Sequence, residues 1–138
     1  MPDKDASTPT VLLVGHCGFD SGGLRRAVES ASPGVRVESV NDSGELDREL
    51  EAGADLLLVN RVLDGAFGAT SSGVELIRGL TASGEGYGRR VATMLVSNFA
   101  QAQEEAEAAG ALAGFGKDDL GTGAAAERIR SALVVGSG

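Results

Sequence analysis

The side chains of this sequence that are able to do chemistry follow short apolar runs. A histidine and a cysteine follow the first run, an asparagine the third, a serine the fourth and a lysine the last: His16, Cys17, Asn60, Ser97 and Lys117. Imidazole and thiolate groups bind metals, serine is a nucleophile when a base activates it, and an ammonium group binds anions. The chemistry open to these residues is therefore metal binding, acyl or phosphoryl transfer, or anion recognition.

Metal binding is the weakest of these hypotheses. His16 and Cys17 are the single histidine and the single cysteine of the chain. A four-ligand zinc site would need a second subunit or distant carboxylates, and adjacent side chains point in different directions. We therefore expect no metal site. A thiol near the start of a helix is able to sense oxidants, but a free cysteine is more often simply buried, so redox sensing by Cys17 is a minor hypothesis.

Anion binding and catalysis both centre on Lys117. It could bind an anion beside Ser97 and Asn60, helped by helix-opening amides near Gly18 to Gly22. The simpler interpretation is a lysine neutralised by Asp20 or Asp64, or by the amide oxygen of Asn60. Ser97 is predicted to be a strand-end hydroxyl bonded to backbone, because no base is evident unless His16 reaches it. We expect no catalysis here.

Glycines are frequent in this chain, which contains 21 of them, and they do not form a nucleotide-binding fingerprint. The cluster from Gly15 to Gly23 matches neither G-x-G-x-x-G nor a phosphate loop, which ends in Gly-Lys-Ser/Thr. The glycine-rich stretches Gly65 to Gly73 and Gly84 to Gly88 predict mobile connections rather than cofactor contacts.

Five short apolar runs predict β-strands, and stretches with helical spacing alternate with them. The runs are Val11 to Val14, Val35 to Val40, Leu56 to Val59, Val91 to Val96 and Ala111 to Phe115. The helical stripes are Leu24-Ala27-Val28-Ala31, Leu46-Leu50, Val74-Ile77-Leu80, Ala102-Ala106-Ala109 and Ala125-Ile129-Ala132-Leu133. Strand runs that are apolar without alternation indicate a parallel sheet with helices on both faces. The prediction is a three-layer α/β fold, with five parallel strands doubly wound as (βα)5, and with function at the carboxyl ends of the strands.

Composition limits the partners. The 138 residues fit one domain, with 1–9 a flexible leader and 10–138 the folded unit. Twenty acidic and twelve basic residues give a net charge of −8, which repels nucleic acid and anionic lipid. No apolar run approaches the ~20 residues of a membrane helix. We expect a cytoplasmic protein with no nucleic-acid or membrane partner.

In order and spacing these residues resemble the receiver domain of bacterial two-component response regulators (the CheY-like fold), from Thr10 to Val135. That family has an acidic pair after the first strand, a phospho-accepting aspartate ending the third, a threonine or serine ending the fourth and a lysine ending the fifth. Ser97 matches the hydroxyl position and Lys117 the lysine. The small residues Ala108 to Ala111 resemble the helix exit that leads into the fifth strand of receivers.

The departures from the family pattern are chemical. Asn60 stands where the acceptor aspartate belongs, and an amide is not the carboxylate nucleophile that forms an acyl phosphate. Gly15 and His16 stand where the acidic pair belongs, although Mg²⁺ prefers carboxylate and other oxygen ligands. The resemblance therefore implies a degenerate receiver, or pseudo-receiver, that binds no metal or cofactor, is not phosphorylated at residue 60 and is not an enzyme.

Two further residues and one loop differ from the family pattern. Gly114 replaces the aromatic switch residue that receivers often carry, and Asp118 replaces the proline that commonly follows the lysine. The stretch from Asn60 to Gly73 is a few residues longer than the family norm.

Loss of the carboxylates also implies an output surface whose conformation neither Mg²⁺ nor a phosphodonor shifts, because a ligand moves a conformational equilibrium only through differential affinity for the two states.

The fourth helix has an acidic polar face that has two interpretations. It is either an ordinary solvated helix face or, since receivers use helix four, strand five and helix five to dimerise and to contact partners, a docking surface. The residues predicted for such a surface are Gln103, Glu104, Glu107, Arg128 and Arg130. Charge complementarity then favours a basic patch on a signalling protein, and a homodimer through the same surface is the other possibility.

The sequence thus predicts a stand-alone pseudo-receiver that acts in signal transduction through phosphorylation-independent protein contacts. The alternative is a sensor of a small anion, a nucleotide or redox state that uses the vestigial phosphorylation pocket around Gly15, His16, Asn60, Ser97 and Lys117.

Overall fold

The computed structural model describes residues 9–16, 18–63, 65, 67, 71–82, 91–120 and 123–137. The predicted leader, apart from Pro9, lies outside this range, as do Cys17, Asp64 and the glycine-rich stretch from Gly84 to Gly88.

The core of the fold is one parallel sheet of five strands in the order β2-β1-β3-β4-β5. The strands are β1 (Thr10–Val14), β2 (Arg36–Val40), β3 (Leu56–Asn60), β4 (Ala92–Val96) and β5 (Leu112–Phe115). This confirms the predicted doubly wound (βα)5 sheet. The strand order reverses beside β1 and β3, so the carboxyl ends of these two strands mark the crevice where such folds place their ligand sites.

Five helices connect or follow the strands. They are α1 (Gly18–Ala31), α2 (Ser43–Ala52), α3 (Gly73–Ala82), α4 (Ala100–Ala108) and α5 (Ala124–Ser137), and a short 3₁₀ turn covers Lys117–Asp119. Asp42 caps α2 by accepting a hydrogen bond from the Glu45 N–H, and Gly53 ends the same helix in the left-handed conformation. No helix in the described part of the chain is long and apolar enough to cross a lipid bilayer.

The sheet separates two hydrophobic cores because successive strand residues point to opposite faces. Val11 and Leu13 pack with α1 and α5, whereas Leu12 and Val14 pack with α2, α3 and α4. Every residue from Leu56 to Val59 is fully buried. The central strand β3 thereby holds its last residue at a fixed position on the carboxyl edge.

The loop between β3 and α3 packs partly against the hydrophobic core on the α2–α4 side of the sheet. An isolated antiparallel bridge joins Val62 to Ser72, and the Leu63 N–H donates to the Ser71 carbonyl at 2.8 Å. Leu63 and Phe67 are buried against the α2–α4 side. These two apolar side chains anchor the loop to the core, and Phe67 is the one that lies in the stretch Gly65 to Gly73 that was predicted to be a mobile connection.

Gly73 begins α3 where two backbone segments come unusually close. A Cβ atom at this position would lie 2.0 Å from the Asn60 carbonyl oxygen. The absence of a side chain at Gly73 is thus what lets α3 start directly beside the last residue of β3.

We predict that Gly73→Ala destabilises the protein by about 1–3 kcal/mol, since backbone has to move to admit the methyl group. Gly79→Ala is the matched control in the same helix, because a Cβ there meets nothing within 4 Å. The control should gain about 0.5–1 kcal/mol from the better helix propensity of alanine. Urea denaturation of both variants measures the difference, and a Gly73→Ala variant as stable as wild type would contradict this packing.

Candidate functional site

The predicted site residues lie along the carboxyl edge of the sheet. Gly15 and His16 follow β1, Asn60 is the last residue of β3, Ser97 follows β4, and Lys117 opens the 3₁₀ turn after β5. Parallel register pairs Asn60 with the last residue of β4, so the strand ends are level at this edge.

Asn60 joins the two loops that flank it. Its Nδ2 donates to the Gly15 carbonyl at 3.0 Å and to the Val62 carbonyl at 2.9 Å. Both partners are carbonyl oxygens, which only accept, so the site requires a donor with two hydrogens. An amide supplies both, whereas an ionised carboxylate supplies none.

Gly15 leaves space that the long loop fills. Its φ is +74°, and its N–H donates to the Val40 carbonyl at 3.0 Å. A Cβ at this position would lie 2.7 Å from Leu63 Cδ2. Leu63 therefore occupies the volume that an acidic side chain at residue 15 would need, and the left-handed backbone also disfavours such a side chain.

His16 is turned into the protein and is only 3% exposed. Its Nε2 lies 2.9 Å from the Leu58 carbonyl oxygen. Because that oxygen only accepts, Nε2 is the donor and carries the hydrogen. The backbone carbonyl of His16 also accepts a hydrogen bond from Asn41 Nδ2 at 3.2 Å. The imidazole thus connects β1 to β3 two residues inside the sheet edge.

The receiver resemblance implies Mg²⁺ at this edge, and the described residues do not fit it. A magnesium site needs oxygen ligands that usually include carboxylates. Gly15 has no side chain, and both Asn60 Nδ2 and His16 Nε2 present hydrogens to backbone oxygens. Within the described ranges no three His, Cys, Asp or Glu side chains are grouped so as to hold a metal ion.

Ser97 makes backbone hydrogen bonds at the end of β4 and is 7% exposed. Its N–H donates to the Phe115 carbonyl at 2.9 Å, and its Oγ accepts from the Phe99 N–H at 3.1 Å. The hydroxyl therefore shapes the turn that enters α4. This is the backbone-bonded arrangement that we predicted in preference to a nucleophile.

Gln103 is the site residue whose predicted position needs correction. We predicted it on the exposed face of α4, but its Nε2 reaches the carbonyl oxygens of Leu95, Ser97 and Phe115 at 2.9, 3.1 and 3.2 Å. A Cβ on Gly114 would lie 2.7 Å from Gln103 Oε1. The glycine that replaces the aromatic switch residue thus admits the glutamine, which braces β4 against β5.

The loop after β5 is tied to the loop after β4. The Asp118 N–H donates to Asn98 Oδ1 at 3.2 Å, and the Gly116 N–H donates to Asp119 Oδ2 at 3.0 Å. A Cβ on Gly116 would lie 2.0 Å from Asn98 Oδ1. Lys117 stands within this braced turn and is half-buried.

The remaining residues of the predicted docking surface are exposed. Glu104 and Glu107 project from α4, and Arg128 and Arg130 project from α5. Arg130 forms an ion pair with Glu127 at 2.7 Å. Arg128 lines a groove of about 310 Å³ between β5 and α5. The structure leaves these four charged side chains available for contact with another protein.

A second surface feature was missed by the sequence analysis. Val62 and Phe99 are exposed large hydrophobic residues, and both line a groove of about 350 Å³ between the β3–α3 loop and α4. The Arg61 guanidinium carbon lies 4.8 Å from the centre of the Phe99 ring. The two residues are 37 positions apart in sequence, so no local pattern connects them.

Comparison with known proteins finds no matching family model and no matching curated sequence. Solved structures do match. A LuxR-family two-component response regulator from Aurantimonas sp. SI85-9A1 has 23% identity and a TM-score of 0.65, covering 93% of this chain and 86% of that one. The beryllofluoride-activated NtrC4 receiver domain dimer has 11% identity and a TM-score of 0.63, covering 93% and 98%.

A third match is a co-crystal of the Saccharomyces cerevisiae phosphotransfer protein Ypd1 with the receiver domain of its downstream response regulator Ssk1. It has 13% identity and a TM-score of 0.58, covering 78% of this chain and 77% of that one. These similarities lie in the backbone, and together with the strand order they show that the chain has the flavodoxin-like fold of response-regulator receiver domains.

Proposed function

We propose that this protein is a non-enzymatic, cytoplasmic pseudo-receiver that takes part in signal transduction through protein contacts and without aspartyl phosphorylation. The observation that carries the proposal is the pair of hydrogen bonds from Asn60 Nδ2 to the Gly15 and Val62 carbonyls. They assign to the amide of residue 60 a structural task that a carboxylate is unable to perform.

The chemistry of phosphorylation is disfavoured in three ways. Asn60 lacks the carboxylate oxygen that forms an acyl phosphate. The described residues around it supply no carboxylate pair for Mg²⁺, and Leu63 packs against Gly15 in the space where a side chain would project. Each of these features alone weakens phosphoryl transfer, and together they leave it without a nucleophile at residue 60 and without a metal site among the described residues.

The same contacts support a constitutive output surface. Phosphorylation switches a protein only when the phosphorylated form favours one of two conformations. Here Asn60 ties the β1–α1 and β3–α3 connections together, and Gln103 braces β4 and β5 below the surface of α4. We propose that this network holds a single arrangement of the edge, so that the exposed residues of α4 and α5 are always presented.

A protein partner is supported by fold and charge together. Two of the structurally similar proteins are seen in a complex with a signalling protein or as a dimer. The exposed Glu104 and Glu107, with the net charge of −8, favour a basic surface on the partner. A homodimer through α4, β5 and α5 is the other assembly of this kind.

The sensor alternative has less support from the described residues. Both hydrogens of Asn60 Nδ2, which would donate to a bound anion, are donated to backbone carbonyls instead. Cys17 lies outside the described residues. No observation specifically favours a small ligand over a protein partner.

We predict that incubation with acetyl phosphate and Mg²⁺ adds no phosphoryl group to the wild-type protein or to Asn60→Asp. The single variant restores a carboxylate but not the acidic pair that a metal needs. Intact-mass spectrometry measures the outcome. A stoichiometric mass gain on wild type, or robust labelling of Asn60→Asp, would overturn the proposal.

We further predict that Asn60→Asp lowers the free energy of unfolding by about 1–3 kcal/mol at neutral pH, because the carboxylate leaves two carbonyls without a donor. Asn98→Asp is the matched control, since Asn98 contributes an acceptor oxygen to the Asp118 N–H and aspartate keeps that acceptor. The control should change stability by less than ~0.5 kcal/mol. Equal stability of wild type and Asn60→Asp in urea would show that the amide is not a structural tie.

A further inference from the structure

The groove between the β3–α3 loop and α4 combines the features of a binding surface. Val62 is 54% exposed and Phe99 is 60% exposed, although large apolar side chains elsewhere in the described chain are more buried. Both line the groove of about 350 Å³, whose floor includes Val74 and Ala102. Exposed apolar side chains that converge on one concavity mark interaction sites more often than scattered ones do.

Both apolar walls of the groove stand on braced backbone. Val62 is held by the antiparallel bridge to Ser72 and by its carbonyl, which accepts from Asn60 Nδ2. The Phe99 N–H donates to Ser97 Oγ, and the Phe99 carbonyl accepts from the Gln103 N–H. Binding of a partner here would therefore cost little free energy for ordering the backbone of the site, which favours affinity.

Arg61 lines the groove and contacts the Phe99 ring, which forms one of its walls. Its guanidinium lies 4.8 Å from the centre of the Phe99 ring, within the range of a cation–π interaction. This contact links the loop after β3 to the start of α4 and orients the ring. An aromatic residue with an adjacent arginine is also the composition typical of energetic hot spots in protein interfaces.

The charges of the groove and of the whole chain indicate the charge of the segment that would bind. Glu105 lines the groove and is hydrogen-bonded to Gln101. The positive charge of Arg61 faces the Phe99 ring, while the chain as a whole carries −8. Electrostatic steering therefore favours a cationic segment over an acidic one or a second copy of this acidic chain.

We propose that this groove binds a basic segment of another protein, which inserts one aliphatic or aromatic side chain between Val62 and Phe99 and places lysine or arginine beside Glu105. The inference rests on the proposed role in protein contact. The groove is a different site from the predicted docking surface, because it lies on the α3 side of α4 rather than on the α4–β5–α5 surface.

The test begins with selection of a random-peptide display library on the immobilised wild-type protein. The strongest peptide is then synthesised, and calorimetry measures its affinity for wild type and for Phe99→Ser, Val62→Ser and Glu105→Lys. Arg48→Ser, an exposed change on α2, is the control that should leave affinity unchanged. Arg128→Ser reports on the α4–β5–α5 surface instead. Circular dichroism verifies folding, and Val62→Ser keeps the test valid if Phe99→Ser does not fold.

The proposal expects recovered peptides with one large apolar residue flanked by lysine or arginine. Affinity should fall at least tenfold in Phe99→Ser and in Val62→Ser, fall in Glu105→Lys, and weaken with added salt. Acidic peptides, or affinity insensitive to both serine variants, would overturn it.

Three other outcomes also count against the groove. Loss of binding only in Arg128→Ser would leave the proposed contact function standing and remove this site. A wild-type dimer in sedimentation that Phe99→Ser converts to monomer would make the occupant a second copy. Recovery of no peptide would refute the groove, whereas the mass and stability tests on Asn60 would still decide the proposed function separately.

Discussion

The carboxyl edge of the sheet depends on the two hydrogens of one side-chain amide. Asn60 ends a strand whose preceding residues are fully buried, so its position is fixed by the core. From there Nδ2 reaches carbonyl oxygens on the connections that leave β1 and β3. The bond to the Gly15 carbonyl is partly buried, and a carbonyl there that loses its donor costs more than a new bond gains, so this bond favours an amide at residue 60; the bond to the Val62 carbonyl is exposed. A carboxylate would repel both oxygens.

The other departures from the receiver pattern are compensated by packing. Gly15 lacks a side chain, and Leu63 from the lengthened loop fills the space. Gly114 has no side chain, and Gln103 Nε2 lies beside it within hydrogen-bond distance of the carbonyls of Leu95 in β4, Ser97 after β4 and Phe115 in β5, which share its two hydrogens. In both cases a small residue and an inward side chain from another element fit together. These contacts brace the carboxyl edge of the sheet.

The fold was predictable because apolar runs and helical stripes report directly on burial, and the sheet confirms them. The position of the candidate site was predictable, since the carboxyl ends of parallel strands lie at the same edge of the sheet. Side-chain direction was not predictable. Gln103 belongs to a polar helix face by pattern, but its side chain turns inward to the carbonyls of Leu95, Ser97 and Phe115, beside the space that Gly114 leaves. The Val62–Phe99 groove depends on a loop closure between distant residues, for which periodicity carries no signal.

The side-chain amide of Asn60 is directly observable by ¹⁵N-resolved NMR with hydrogen exchange. We expect the two Nδ2 hydrogens of Asn60 to exchange more slowly than those of the exposed Asn98. We also expect their resonances not to move on addition of Mg²⁺ and acetyl phosphate. Exchange as fast as that of Asn98, or a shift on adding the metal and the phosphodonor, would contradict the claim that this amide locks the edge of the sheet.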